Sequence, residues 1–192
     1  MIVEGLLTST DSIGTLNVAP MGPIVHGNFD SFTLRPWAGS TTFQNLTLSR
    51  QGVFHLVDSI SIIAEAAIRR LTKIPDTFPA EHVAGFVLED CCRWFEFQIT
   101  DIDTTHERSE MTAQVVNTGQ RRPFRGFNRA RHAIIETAIL ATRLHLIPRD
   151  EVESALRFLA PAVAKTGAEE DQASFRMLQE HIHSYYQAEA TA

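Results

Sequence analysis

The chain changes its hydrophobic period once, and that change limits the folds open to it. Up to about Gln120 the apolar residues form short runs that alternate or cluster over a few positions; from Asn128 onward they recur at helical spacing. Phe95, Phe97 and Ile99 alternate with Trp94, Glu96 and Gln98 inside Cys91–Thr100, the pattern of a half-buried strand. Met111, Ala113 and Val115 repeat it after a polar turn at Asp103–Glu107. Met1–Leu7, a Thr8–Gly14 break and the run through Leu16, Val18 and Pro20-Met21-Gly22 predict a β-hairpin. Further strands are predicted at Phe32–Leu34, Gly52–Asp58 and Val83–Leu88. Short strands with few helices between them imply an antiparallel, barrel-like sheet.

One helix interrupts this series. Asp58 and Ser59 are good helix starters, and Ile60, Ile63, Ala64, Ala67, Ile68 and Leu71 follow at helical spacing. It is expected to pack on the sheet and to end before Pro75 and Pro79. After Gly119–Gly126 a small helical domain is predicted. Ala130, Ile134, Thr137, Ala138 and Ala141 mark its first helix; Pro148 begins a second with Val152, Ala155, Leu156 and Leu159; Gly167 precedes a third from Glu169 to Gln187. The class is therefore α+β, with domains expected at 1–120 and 127–190.

Composition narrows the function. A chain of 192 residues with 44% hydrophobic and 21% charged residues can bury a full core. The net charge of −6 argues against nucleic acid as a main partner. No apolar run approaches the roughly 20 residues of a membrane span, and the N-terminus has no signal-peptide pattern, so a cytoplasmic protein is expected. Adjacent Cys91 and Cys92 are not placed to crosslink with each other and are expected to be buried, reduced strand residues.

The stretch from Asn17 to Leu46 carries the chemistry. Ser40, Thr41 and Thr42 open a short helix, where unpaired N–H groups and the positive end of the dipole favour an anion. Arg35 offers a fork of donors to the same oxygens. A flat, partly apolar body attached to a phosphate would lie along Ala19-Pro20-Met21-Gly22, where Gly22 admits close backbone approach. A phosphorylated planar cofactor fits this arrangement better than a free anion. Ordinary helix capping by Ser40–Thr42 and a solvated Arg35 are the plain alternative.

Asn17-Val18-Ala19-Pro20-Met21-Gly22, Leu34-Arg35-Pro36, Gly39-Ser40-Thr41-Thr42-Phe43 with Asn45-Leu46, Phe127-Asn128-Arg129-Ala130 with Ala133 to Glu136, and Ala141-Thr142-Arg143 together resemble the FMN-binding split barrels of the flavin-reductase-like kind. They are similar in particular to an uncharacterised family with a C-terminal helical extension. The resemblance implies a homodimeric split barrel with FMN at the interface. It implies that the isoalloxazine lies on Ala19, Pro20, Met21 and Gly22, that Arg35, Ser40, Thr41 and Thr42 grip the phosphate, and that Asn17 and Asn45 orient the site, with Pro36 beside them. It further implies a link to tetrahydromethanopterin-dependent one-carbon metabolism and an unidentified small-molecule substrate. No GxGxxG nicotinamide motif is present.

Other residues invite weaker readings. Arg121, Arg122, Arg125, Arg129 and Arg131 suit an anionic substrate or a partner subunit's FMN, or else pair with acidic residues at a solvated hinge. The eight histidines show no zinc spacing. His55 reads as a core histidine or one that faces the ring. Trp37 and Trp94 read as packing or stacking residues, and Glu136 and Arg143 as a polar helix face contacting the barrel. An FMN oxidoreductase is the leading expectation. A non-catalytic FMN or anion-binding module that recruits a partner, and a pterin- or nucleotide-binding protein without flavin, are the alternatives.

Overall fold

The computed structural model describes residues 1–105 and 109–190, so part of the predicted Asp103–Glu107 turn lies outside the described residues. The chain forms two compact units, 1–57 with 74–124, and 58–73 with 125–192.

The first unit is built on a seven-stranded sheet. Its strands are β1 (Gly5–Thr10), β2 (Leu16–Met21), β3 (Ile24–His26), β4 (Ser31–Leu34), β5 (Gln51–Leu56), β8 (Arg93–Asp103) and β9 (Glu110–Gln120). The short strands β6 (Thr77–Pro79) and β7 (Phe86–Leu88) pair separately. Every pairing is antiparallel, in the order β2-β1-β5-β8-β9-β4-β3. The chain's first residues, which lead into β1, close the sheet onto the segment around β3. Ile2 bridges Ile24, Val3 N–H donates to Pro23 C=O at 3.2 Å, and Val25 N–H donates to Met1 C=O at 2.8 Å.

Alternation on β8 puts Phe95, Phe97 and Ile99 in the core, where Phe32, Phe54, Leu7, Leu34, Leu46 and Met111 meet them. The rings of Phe54, Phe95 and Phe97 lie 5.5 to 6.2 Å from that of Phe32, all edge-on, a favoured aromatic geometry. Two of the expected outward residues do other work. A Cβ on Gly119 would overlap the Trp94 indole that covers it, and Phe78 meets that indole edge-on, so Trp94 is a packing residue. Glu96 is fully buried.

The structure departs from several sequence expectations. β1 continues through Thr8-Ser9-Thr10, and the break begins at Asp11, whose Oδ1 accepts from Ile13 and Thr15 N–H. Gly14 closes that turn at φ +85°, a conformation that favours glycine. Cys91 and Cys92 are buried and form no disulfide, but precede β8 rather than lie in it. Val83 to Gly85 form a loop before β7.

The second unit holds α2 (Ile60–Ala67), α3 (Arg129–Ala141), α4 (Arg149–Thr166) and α5 (Glu169–Ala190). The helix expected to cover the sheet, α2, packs instead against α3 and α5. It stops at Ala67, and Arg69 turns left-handed at φ 56°, well before Pro75. Ala130, Ile134, Thr137, Ala138 and Ala141 are buried as their spacing predicts. On α4 only Val152 and Val163 are buried; Ala155, Leu156 and Leu159 stay half-exposed. Since α3 ends at Ala141, Arg143 falls beyond it and shares no helix face with Glu136. Asn128 caps α3, accepting from Ala130 and Arg131 N–H, and its own amide donates to Thr166 C=O at 2.9 Å.

Candidate functional site

Helix α1 (Thr41–Ser49) follows β4 in the first unit. Ser40 is its N-cap, with its hydroxyl accepting from Phe43 N–H at 3.1 Å, so the capping reading holds for this residue. The N–H groups of Thr41 and Thr42 have no partner within the helix, as at any helix start. Thr41 is exposed and Thr42 is buried.

A buried polar network fixes Thr42. Asn17 on β2 donates through Nδ2 to Thr42 Oγ1 at 3.0 Å and to Ser9 Oγ at 3.4 Å. Asn45, one turn into α1, donates to the same Ser9 oxygen at 3.2 Å. The structure thus brings Asn17, Thr42 and Asn45 together around Ser9, a residue that the sequence reasoning missed. Its signal was the hydroxyl triplet Thr8-Ser9-Thr10, which reads equally well as a turn.

Ala19, Pro20 and Met21 lie half-buried on β2 opposite Leu7, Leu6 and Gly5. β2 is an edge strand: among the described residues no strand pairs with its outer side. Pro20, which lacks an N–H, is compatible with such an edge. Gly22 follows the strand, and a Cβ there would come within 3.0 Å of Ile2 and of the Glu4 carboxylate. Its glycine therefore already admits the chain's own N-terminal segment.

Arg35 is drawn to β9. Its Nε donates to Glu110 at 2.8 Å and a terminal nitrogen lies 2.6 Å from the same oxygen, both side chains being about half exposed. An exposed pair of this kind is worth about 0–1 kcal/mol, so Glu110 is a weak competitor for the guanidinium. Pro36 is buried and its carbonyl accepts from Ser109 Oγ at 2.9 Å. Trp37 is exposed, so it is no core residue.

His55 is fully buried on β5, its Nδ1–H donating to Leu6 C=O at 3.2 Å and its Nε2 accepting from Leu88 N–H at 3.1 Å. Desolvation pushes its pKa down to about 4, although the Leu6 carbonyl opposes this. Arg121 pairs with Glu89, Arg122 with Asp90 at 2.7 Å, and Arg131 with buried Asp171 at 3.5 Å. Arg125 and Arg129 are exposed. Among the described residues no three His, Cys, Asp or Glu side chains converge as a metal site. Also among them, no helix is long and apolar enough to cross a membrane.

An antiparallel barrel with one bare strand edge, beside a helix start held by buried amides, defines a class of protein: the split barrel of the FMN-binding, flavin-reductase-like kind, here with a helical extension. Solved structures share the fold. An FMN-bound protein of Methanosarcina mazei matches with a TM-score of 0.78 and 17% identity over 94% of this chain and 94% of its own. The 2-nitrobenzoate 2-nitroreductase of Pseudomonas fluorescens matches at 0.53 and 21% identity over 62% of this chain and 64% of its own. An FMN-binding protein of Thermus thermophilus with bound 1-cyclohex-2-enone matches at 0.52 and 12% identity over 62% and 70%. The chain belongs to the family described as protein of unknown function (DUF447), whose N-terminal domain covers residues 3–122 and whose second part covers 128–180. It matches none of the curated proteins.

Proposed function

We propose that this chain binds FMN and is an oxidoreductase, acting as a cytoplasmic homodimer with the flavin at the interface. Domain 1–120 would hold the cofactor and domain 127–190 would form the appendage. The observation that carries the reading is the donor set at the start of α1: the free helix-start N–H groups and hydroxyls of Thr41 and Thr42, with Thr42 fixed from behind by Asn17. These are the groups a phosphate requires. Ser40 would add its hydroxyl proton, Arg35 would leave Glu110 for the phosphate, and the bare edge at Ala19, Pro20, Met21 and Gly22 would take the ring. Asn17 and Asn45 would orient the middle of the molecule, with Pro36 holding Arg35 in place. The FMN named in the Methanosarcina mazei and Thermus thermophilus proteins supports the same choice of ligand.

Bound there, FMN supplies reversible electron and hydride transfer. The protein's own residues bind and orient it. The substrate class proposed on the family resemblance is a pterin-type one-carbon carrier. Turnover with oxidised pterins above that with other acceptors is the test of that choice.

The deciding experiment is the visible spectrum of the purified protein, with mass spectrometry of what heat releases. Flavin bands and FMN in the supernatant are expected. A colourless protein that fails to take up added FMN overturns the proposal. Anaerobic bleaching followed by recovery with an acceptor separates an oxidoreductase from a non-catalytic module. Light scattering that finds a monomer in the flavin-loaded protein removes the dimer.

A further inference from the structure

The polar network around Ser9 runs in one direction. A serine oxygen has two acceptor lone pairs and one proton, and here both lone pairs are taken, by Asn17 Nδ2 at 3.4 Å and Asn45 Nδ2 at 3.2 Å. The second hydrogen of the Asn17 amide goes to Thr42 Oγ1 at 3.0 Å. These bonds use both amide hydrogens of Asn17 and one of Asn45, and they leave for a ligand the Oδ1 acceptors of both asparagines and the hydroxyl protons of Ser9 and Thr42. Ser9, Thr42 and Asn45 are 2%, 4% and 5% exposed, so water competes weakly for these bonds. Ser9 itself is held in register on β1 opposite Asn17, and the network thus hangs from a strand rather than from a loop.

We propose that Ser9 is the positioning residue of this site, fixing the carboxamides of Asn17 and Asn45 so that their oxygens, not their nitrogens, meet the ligand. The arrangement suits a ligand whose hydroxyl groups donate to two carbonyl oxygens while its phosphate accepts from the Thr42 hydroxyl and the helix start. That is the chemistry of a sugar-alcohol phosphate, the part of FMN between ring and phosphate. The inference rests on the flavin reading above and adds to it the residue that sets the polarity of the site. Ser9 acts through the two asparagines.

The test is a mutant cycle on protein stripped of flavin and titrated with FMN and with riboflavin by fluorescence quenching. Wild type, Ser9→Ala, Asn45→Ala and the double variant are compared. Ser9→Ala is expected to weaken FMN about tenfold, the scale of one well-placed bond. Because the two residues act through one network, the loss in the double variant falls well below the product of the single losses. Riboflavin weakens with FMN in Ser9→Ala, since the polyol is common to both. A Ser9→Ala protein within about twofold of wild type, or single losses that simply multiply, overturns the assignment and leaves the flavin reading standing. Wild type that binds neither ligand overturns the flavin reading itself. Should Ser9→Ala show no cooperative melting, Ser9→Cys takes its place in the cycle, keeping the volume while weakening the acceptor, with the same expected result.

Discussion

At the scale of single residues, two buried titratable groups set how the barrel responds to acid. His55 is neutral, with one ring nitrogen donating and the other accepting. Its folded pKa is about 4 against an unfolded value near 6.5, so the unfolded chain takes up the proton first. The stability this histidine contributes is complete above about pH 6.5 and is lost as the pH falls through that window, to a total of about 3 kcal/mol. Urea unfolding at pH 7 and pH 5 checks this: wild type should lose stability between the two, and His55→Gln, less stable by about 2 kcal/mol at pH 7, should lose much less. Glu96 behaves similarly at lower pH. Burial raises its pKa, but N–H donors from His82, Asn117, Glu81 and Trp94 outweigh this and hold it below the usual value. Its contribution is present above the ordinary carboxylate range and fades as the pH drops below it. Glu96→Gln sets an amide against N–H groups that want an acceptor; a loss of roughly 1–3 kcal/mol at neutral pH is expected by denaturant titration. The sequence showed both residues on strands. What it did not show is that residues 81 and 82 fold over Glu96, since a contact with a loop leaves no period.

At the scale of elements, α1 has two duties that separate by mutation. Ser40→Ala removes the bond to Phe43 N–H and should lower stability by about 1 kcal/mol, read as a shift in thermal midpoint. Arg35→Ala combined with Thr42→Ala should instead weaken FMN, each charge-assisted bond being worth roughly 1.5–3 kcal/mol. Wild-type affinity in that pair of substitutions, measured by flavin fluorescence, would place the phosphate elsewhere. Much of this element was legible, because hydroxyls before an apolar run mark a helix start whatever else they do. The partner of α2 was not. Apolar residues at helical spacing report that Ile60, Ile63 and Ala64 are buried, and they are, but spacing is silent about whether a sheet or two helices covers them. The stretch Thr8–Thr10 failed for the opposite reason. Hydroxyl residues suit turns and strands alike, so Ser9 was lost in an expected break although it anchors the site.

At the scale of the whole molecule, alternating phenylalanines made the barrel legible while its closure stayed hidden. Nothing in Met1-Ile2-Val3 announces that it will bond to Pro23–Val25, because edge pairing is a matter of backbone groups. Val3→Pro removes the N–H that reaches Pro23 and should destabilise the barrel by about 1–3 kcal/mol, seen as a lower urea midpoint with an unchanged slope. The bare side of β2 has a further consequence. An uncovered strand is a template on which a foreign chain can align and extend the sheet, the first step toward aggregation. Pro20 lies near the end of that edge, one residue before Met21, and supplies no N–H to such a ladder. The residue proposed to lie under the flavin ring also guards the protein against sticking to itself.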